Sequence, residues 1–148
     1  MTVPRGGRVQ LALNVEDLDA SIAFYARLFD TRPAKVRPGY ANFAIDEPPL
    51  KLVLIEAGEG GSINHLGVEV ADRSSVDDAM ERFGVAGMPT LVEEEVGCCY
   101  ALQDKVWVTA PDGERWEYYT VLGDLPAEDD SDGAASACCA DDSRPVTV

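Results

Sequence analysis

Three side chains of this 148-residue sequence offer the donors of a metal site: Gln10, His65 and Glu117, with His65 the only histidine. An imidazole, a carboxylate and one further oxygen or nitrogen donor make an incomplete shell. A redox-active or Lewis-acid metal uses such a shell when positions must stay open for substrate or O2. The cysteines suggest a second chemistry, because all four fall in adjacent pairs, Cys98-Cys99 and Cys138-Cys139. A disulfide between neighbours closes a strained ring and ties no loop together, so this is not the pattern of a secreted scaffold. It fits a reduced, cytoplasmic setting, and paired thiols chelate a soft, thiophilic ion. Blander roles compete for each residue. His65 could be a satisfied core histidine, Glu117 a solvated face and Cys98-Cys99 two small apolar fillers. Lys105 could be a solvated strand charge or a cation that lowers a thiol pKa. Tyr100 and Trp107 read first as core aromatics.

Such donors act together only if the chain folds them onto one face. Residues 9–15 alternate, with Val9, Leu11, Leu13 and Val15 on one side and Gln10, Ala12 and Asn14 on the other. Asp17 reads as the N-cap of a helix with Leu18, Ile22, Tyr25, Ala26 and Phe29 on one face. Strands are expected at 40–45 and 50–56, joined by a turn through Pro48-Pro49, and Gly58 to Gly61 end the unit. The pattern then restarts. Residues 64–70 put Leu66, Val68 and Val70 on one face and His65, Gly67 and Glu69 on the other. Ser74 to Asp77 resemble a capping box for a helix ending near Phe83. Strands are expected at 99–102, 105–109 and 115–121, with a turn at Gln103-Asp104 and a mobile loop at Val96-Gly97. A shift of 55 positions lays Gln10 on His65, Val15 on Val70 and Asp17 on Asp72. The economical reading is an α+β fold of two tandem βαβββ modules, about 8–56 and 64–122. The apolar face of each leading strand then packs on its helix, and Gln10, His65 and Glu117 turn towards a shared cleft.

Composition narrows the function classes. Hydrophobic residues are 46% and charged residues 26%, a globular balance. The net charge of −15 argues against nucleic acid and anionic membranes as partners. No apolar run approaches the roughly 20 residues of a membrane span, and the N-terminus lacks the apolar core of a signal peptide. Residues 123–148 hold seven acids against Arg144 alone and little that is large enough to bury, so this tail is expected to be disordered.

The run from Val15 to Tyr25, with the duplication, resembles the vicinal oxygen chelate superfamily of glyoxalases, antibiotic-resistance proteins and extradiol dioxygenases. Within it, Asn64 to Val70, Cys98 to Val108 and Pro111 to Glu117 are similar to the carbon–arsenic lyase and cadmium-induced protein group. The likeness covers residues 8–122. It implies a non-haem Fe(II) dioxygenase that uses O2 to cleave the carbon–arsenic bond of trivalent organoarsenicals such as methylarsenite. Its metal ligands would fall on Gln10, His65 and Glu117 and its arsenic-binding pair on Cys98 and Cys99, with Tyr100 and Lys105 beside the substrate. Gln10 departs from the histidine of many relatives and offers a weaker oxygen donor. A glyoxalase-type shell would need a fourth, carboxylate ligand near Leu52, where Leu50, Val53 and Leu54 are neighbours that cannot ligate. A three-ligand site open to O2 is therefore expected, in a monomer or homodimer. Cys138-Cys139 would serve as a scavenging arm for soft metal or have no role. The competing function is sequestration of Cd(II) or As(III) without turnover.

Overall fold

The computed structural model describes residues 3–98 and 100–125. The elements run β1 (Arg8–Asn14), α1 (Leu18–Leu28), β2 (Lys35–Arg37), β3 (Tyr40–Ile45) and β4 (Leu50–Ile55). The same order follows as β5 (Ile63–Glu69), α2 (Arg73–Val85), β6 (Leu91–Cys98), β7 (Ala101–Thr109) and β8 (Arg115–Asp124). This is the α+β arrangement of two βαβββ units. All eight strands join one sheet in the order β2-β3-β4-β1-β5-β8-β7-β6. The order is symmetric about the antiparallel β1–β5 pair, and β1–β4 and β5–β8 are parallel in matching places.

That sheet cannot be flat. At roughly 4.8 Å between strands, Tyr40 on β3 and Tyr100 beyond β6 would be about 25 Å apart. Their ring centroids are 5.6 Å apart. The Tyr100 hydroxyl donates to the Pro38 carbonyl, and Lys35 Nζ donates to the Tyr100 carbonyl. The sheet therefore curls until its ends meet, and the inner face becomes the wall of a cleft. Each helix covers the outer face of its own unit. Leu11, Leu13 and Val15 pack with Leu18, Ile22 and Tyr25, while Val68 and Val70 pack with Val76, Ala79 and Phe83.

Asp17 caps α1 by accepting from the Ala20 N–H, as its position in the sequence suggests. At α2 the cap is Asp72 rather than Ser74. Its carboxylate accepts from the Ser74 hydroxyl and from both the N–H and the hydroxyl of Ser75, which leaves the serines inside the first turn. Two short or irregular strands have little signature in the sequence. β2 has three residues, and β6 carries Glu93-Glu94-Glu95 with a bulge in its pairing to β7. The bulge puts Glu95 at φ 48° and lets its N–H reach Asp104. Glu93 accepts from the Trp107 indole and Glu94 from Arg73.

Three expectations are corrected here. Val96-Gly97 is laddered to Gln103-Leu102 rather than looped. Gln103-Asp104 lies inside β7, and the reversal comes before Ala101, where Tyr100 takes a positive φ of 62°. The last strand runs past 122 to Asp124, where Lys35 Nζ lies 2.6 Å from its carboxylate. Residues 126–148, with Cys138 and Cys139, lie outside the described residues. Among those described, no helix is long and apolar enough to cross a membrane.

Candidate active site

The β1–β5 register explains how two donors share one point. Gln10 pairs with Gly67, and Ala12 pairs with His65. Each large donor thus faces a small residue across the strand pair and can lean over it. Gly67 has no room for more, because a Cβ there would meet the Glu117 carbonyl oxygen at 2.7 Å and Gln10 Nε2 at 3.2 Å. β8 lies parallel beside β5 with Glu117 opposite Gly67, which brings the carboxylate to the same place.

The three groups converge on Glu117 Oε1. Gln10 Nε2 donates to it over 2.8 Å, and His65 Nε2 lies 3.4 Å away. All three residues are buried, with 3 to 4% of their surface exposed. A chain of amides fixes the imidazole. Asn14 Nδ2 donates to Ser62 Oγ, Asn64 Nδ2 to Asn14 Oδ1, and Asn64 Oδ1 is then left to accept from His65 Nδ1 at 2.8 Å. With the ring proton on Nδ1, Nε2 presents its lone pair to the cleft, which is the ligating form of histidine. An imidazole lone pair and a carboxylate oxygen 3.4 Å apart, with an amide beside them, suit a divalent cation. Among the described residues no group of three His, Cys, Asp or Glu gathers anywhere, and the Gln10 amide is the further polar group beside His65 and Glu117.

The carboxylate has a second partner. Lys105, 1% exposed, donates from Nζ to Glu117 Oε2 over 2.8 Å and lies over the Trp107 and Tyr119 rings. It is a buried counter-ion, which corrects the solvated-charge alternative, and the solvated alternative for Glu117 fails with it. Burial pushes the Glu117 carboxyl upward, but the Lys105 ammonium and His65 together outweigh this and hold it well below the usual carboxylate range. Glu117 is therefore ionised at neutral pH.

On the other side, the Tyr119 hydroxyl lies 2.5 Å from Gln10 Oε1 and 3.3 Å from Glu69 Oε2. Glu69 is itself held by Arg8 Nε at 3.1 Å and Lys51 Nζ at 2.8 Å. Burial first, then the charges of Glu69 and Glu117, push the Tyr119 phenol well above its ordinary value, so it keeps its proton. Sequence reasoning missed Tyr119 and Asn64. Tyr119 was within reach, because alternation along one strand puts residue 119 on the same face as 117. The Asn64 contact runs between strand neighbours, which alternation does not foresee.

Gln10, His65, Glu117 and Tyr119 line a cavity of about 160 Å³, together with Tyr40 and Asn42 from the first unit. That is room for a small substrate. Tyr100 forms part of the closure instead, packed on Tyr40 at the meeting ends of the sheet. Cys98 ends β6 opposite Ala101, and Cys99 lies outside the described residues. The fourth-ligand position is also settled. Ala12 matches Gly67, and Ala12 pairs with Val53 as Gly67 pairs with Glu117, so Val53 and not Leu52 is the equivalent of Glu117. Leu52 faces α1, because a one-residue offset reverses the face.

A trivalent organoarsenical cleaving enzyme of Thermomonospora curvata is 60% identical over 134 residues, covering 89% of this chain and 87% of its own. The cadmium-induced protein of Mycobacterium tuberculosis H37Rv is 58% identical, covering 89% of this chain and 92% of its own. Among solved structures, the Mn(II)-bound glyoxalase from Novosphingobium aromaticivorans superposes with a TM-score of 0.56 at 24% identity, over 80% of this chain and 39% of that one. That likeness speaks for the fold alone. The model of the glyoxalase/bleomycin resistance protein/dioxygenase superfamily matches residues 7–118, and the chain belongs to that superfamily.

Proposed function

We propose that the protein is a non-haem Fe(II)-dependent dioxygenase that cleaves the carbon–arsenic bond of trivalent organoarsenicals and releases inorganic arsenite. The observation that carries this reading is the convergence of Gln10, His65 and Glu117 beside a small cavity, in a chain 60% identical to an organoarsenical cleaving enzyme. Fe(II) held by these three would supply O2 activation. The chain's own residues do the rest. His65 offers Nε2 because Asn64 fixes its ring. Glu117 stays ionised through Lys105, and Val53 in place of a fourth ligand leaves the cavity side of the shell open to small molecules. Cys98 and Cys99 take the trivalent arsenic as a pair of thiolates, since the second sulfur binds with little added entropy cost. Lys105, locked to Glu117, serves the carboxylate rather than the arsenical.

Sequestration of Cd(II) or As(III) without turnover is the second reading, favoured by the 58% identity to a cadmium-induced protein and by the paired thiols. One experiment separates the two. Protein loaded anaerobically with Fe(II) is given methylarsenite and then air, while O2 uptake and arsenite release are followed. The enzyme takes up O2 and releases arsenite. His65→Ala abolishes both, and the double variant Cys98→Ser, Cys99→Ser keeps its Fe(II) but loses methylarsenite capture and turnover. Wild-type binding of methylarsenite without O2 uptake would establish sequestration instead.

A further inference from the structure

The Gln10 amide faces the site with the wrong end for a ligand. Its Nε2 donates to Glu117 Oε1, and its Oε1 points away towards the Tyr119 hydroxyl. An amide nitrogen has no lone pair to give a metal, whereas the amide oxygen does. A cation on Glu117 Oε1 would also remove the acceptor that Nε2 now uses.

The Tyr119 hydroxyl meets this problem. It has one proton and two acceptors in reach, Gln10 Oε1 at 2.5 Å and Glu69 Oε2 at 3.3 Å. It can donate to only one of them, and the oxygen of the same hydroxyl can accept. We propose that Tyr119 is a positioning residue that lets the Gln10 amide turn over, nitrogen towards Glu117 in the metal-free protein and oxygen towards the cation when one is bound. In the first state Tyr119 donates to Gln10 Oε1. In the second it swings its proton to Glu69 Oε2 and accepts from Gln10 Nε2. Every polar atom of the pair is satisfied in both states, and no proton leaves its residue. Glu69 is a fixed acceptor for the second state, because Arg8 and Lys51 hold it from the other side. Tyr119 itself is 2% exposed, so its hydroxyl is held among these protein partners. The inference rests on the reading of Gln10 as a ligand.

The test uses the metal-free full chain and Co(II), whose absorption bands report its donor set, under anaerobic conditions. Tyr119→Phe keeps the ring and loses the hydroxyl. It should weaken Co(II) binding about 10- to 100-fold, the usual effect of losing a partner that orients a ligand. In a Gln10→Ala background the same change should cost less than about twofold, because the amide it positions is gone. Equal losses in both backgrounds would mean a merely structural role and overturn the proposal. Unchanged Co(II) affinity in Gln10→Ala would instead overturn the reading of Gln10 as a ligand. A second measurement needs no substitution. In the wild-type protein, adding diamagnetic Zn(II) should move the Gln10 side-chain amide protons from NMR contact with Gly67 to contact with the Tyr119 ring. Amide protons that stay beside Gly67 with Zn(II) bound would overturn the proposal even if Tyr119→Phe does not fold.

Discussion

The two halves of the sheet share a topology and differ in chemistry. At matched positions on the cleft face, the first unit has Gln10, Val53, Tyr40 and Ile55. The second has His65, Glu117, Lys105 and Tyr119. The backbone registers that align these pairs are the same, so the strands supply equivalent places and the side chains decide what each place does. At these four places the first unit gives one amide and no charged group. The second gives the imidazole, the carboxylate and its buried counter-ion. A carboxylate in place of Val53 would add a fourth donor facing Gln10, His65 and Glu117. A duplicated scaffold thus offers equivalent places whose side chains need not repeat.

The largest test of that asymmetry compares Glu117→Ala with Val53→Ala. Glu117→Ala removes the carboxylate that accepts from buried Lys105 Nζ, so urea unfolding should show a loss of about 3–5 kcal/mol, and metal titration should show no tight binding. Val53→Ala at the matched place removes two methyl groups and should cost about 2 kcal/mol, with metal affinity kept. Equal stability losses would mean that Lys105 and Glu117 are not a mutually dependent pair.

The small residues that make room for the donors give a middle-sized contrast. Gly67→Ala drives a Cβ to within 2.7 Å of the Glu117 carbonyl oxygen, a backbone atom that cannot yield cheaply. It should cost about 1–3 kcal/mol and weaken metal binding as well, since Gln10 Nε2 is displaced with it. Ala12→Gly on the first unit only loosens a strand, at about 0.5–1 kcal/mol, and leaves metal affinity alone. Thermal unfolding and metal titration on both variants check this.

The smallest contrast is between the helix caps. Asp72 accepts from three donors and Asp17 from one, so Asp72→Ala should lower the urea midpoint more than Asp17→Ala. The Ser74 hydroxyl first, then Ser75, lowers the Asp72 carboxyl below its ordinary value. A lowered carboxylate stabilises the fold above its unfolded pKa, and that gain is lost as pH falls through the folded value. The gap between wild type and Asp72→Ala, measured by urea midpoints at several pH values, should therefore be full at pH 7 and close as pH drops below about 4.

Much of the site was legible in residue order alone. Alternation put Gln10, His65 and Glu117 on one face because successive side chains of a strand point to opposite sides. The shift of 55 positions revealed the duplication, and the residues after the first strand marked the superfamily. The strands that went unread share a reason. β2 is too short to show a period, and β6 carries three consecutive acids that only its bulge, Arg73 and the Trp107 indole make tolerable. Gln103-Asp104 resembles a turn by composition, yet β7 continues through it because Asp104 accepts from the Glu95 N–H across the strand pair.

The sequence by itself determined which side of each leading strand is polar, where the first helix begins and that one unit is written twice, since these follow from local period and capping chemistry. Tertiary structure decided the rest. Only the curl of the sheet, closed by Tyr100 on Tyr40, makes the polar face an interior. Only that interior makes Lys105 a buried counter-ion, sets Val53 rather than Leu52 opposite the donors and brings Tyr119 to Gln10 across 109 positions of sequence. The physical reason is range. Period and propensity act within a turn of helix or a strand, whereas burial and charge pairing depend on which distant strands share a wall.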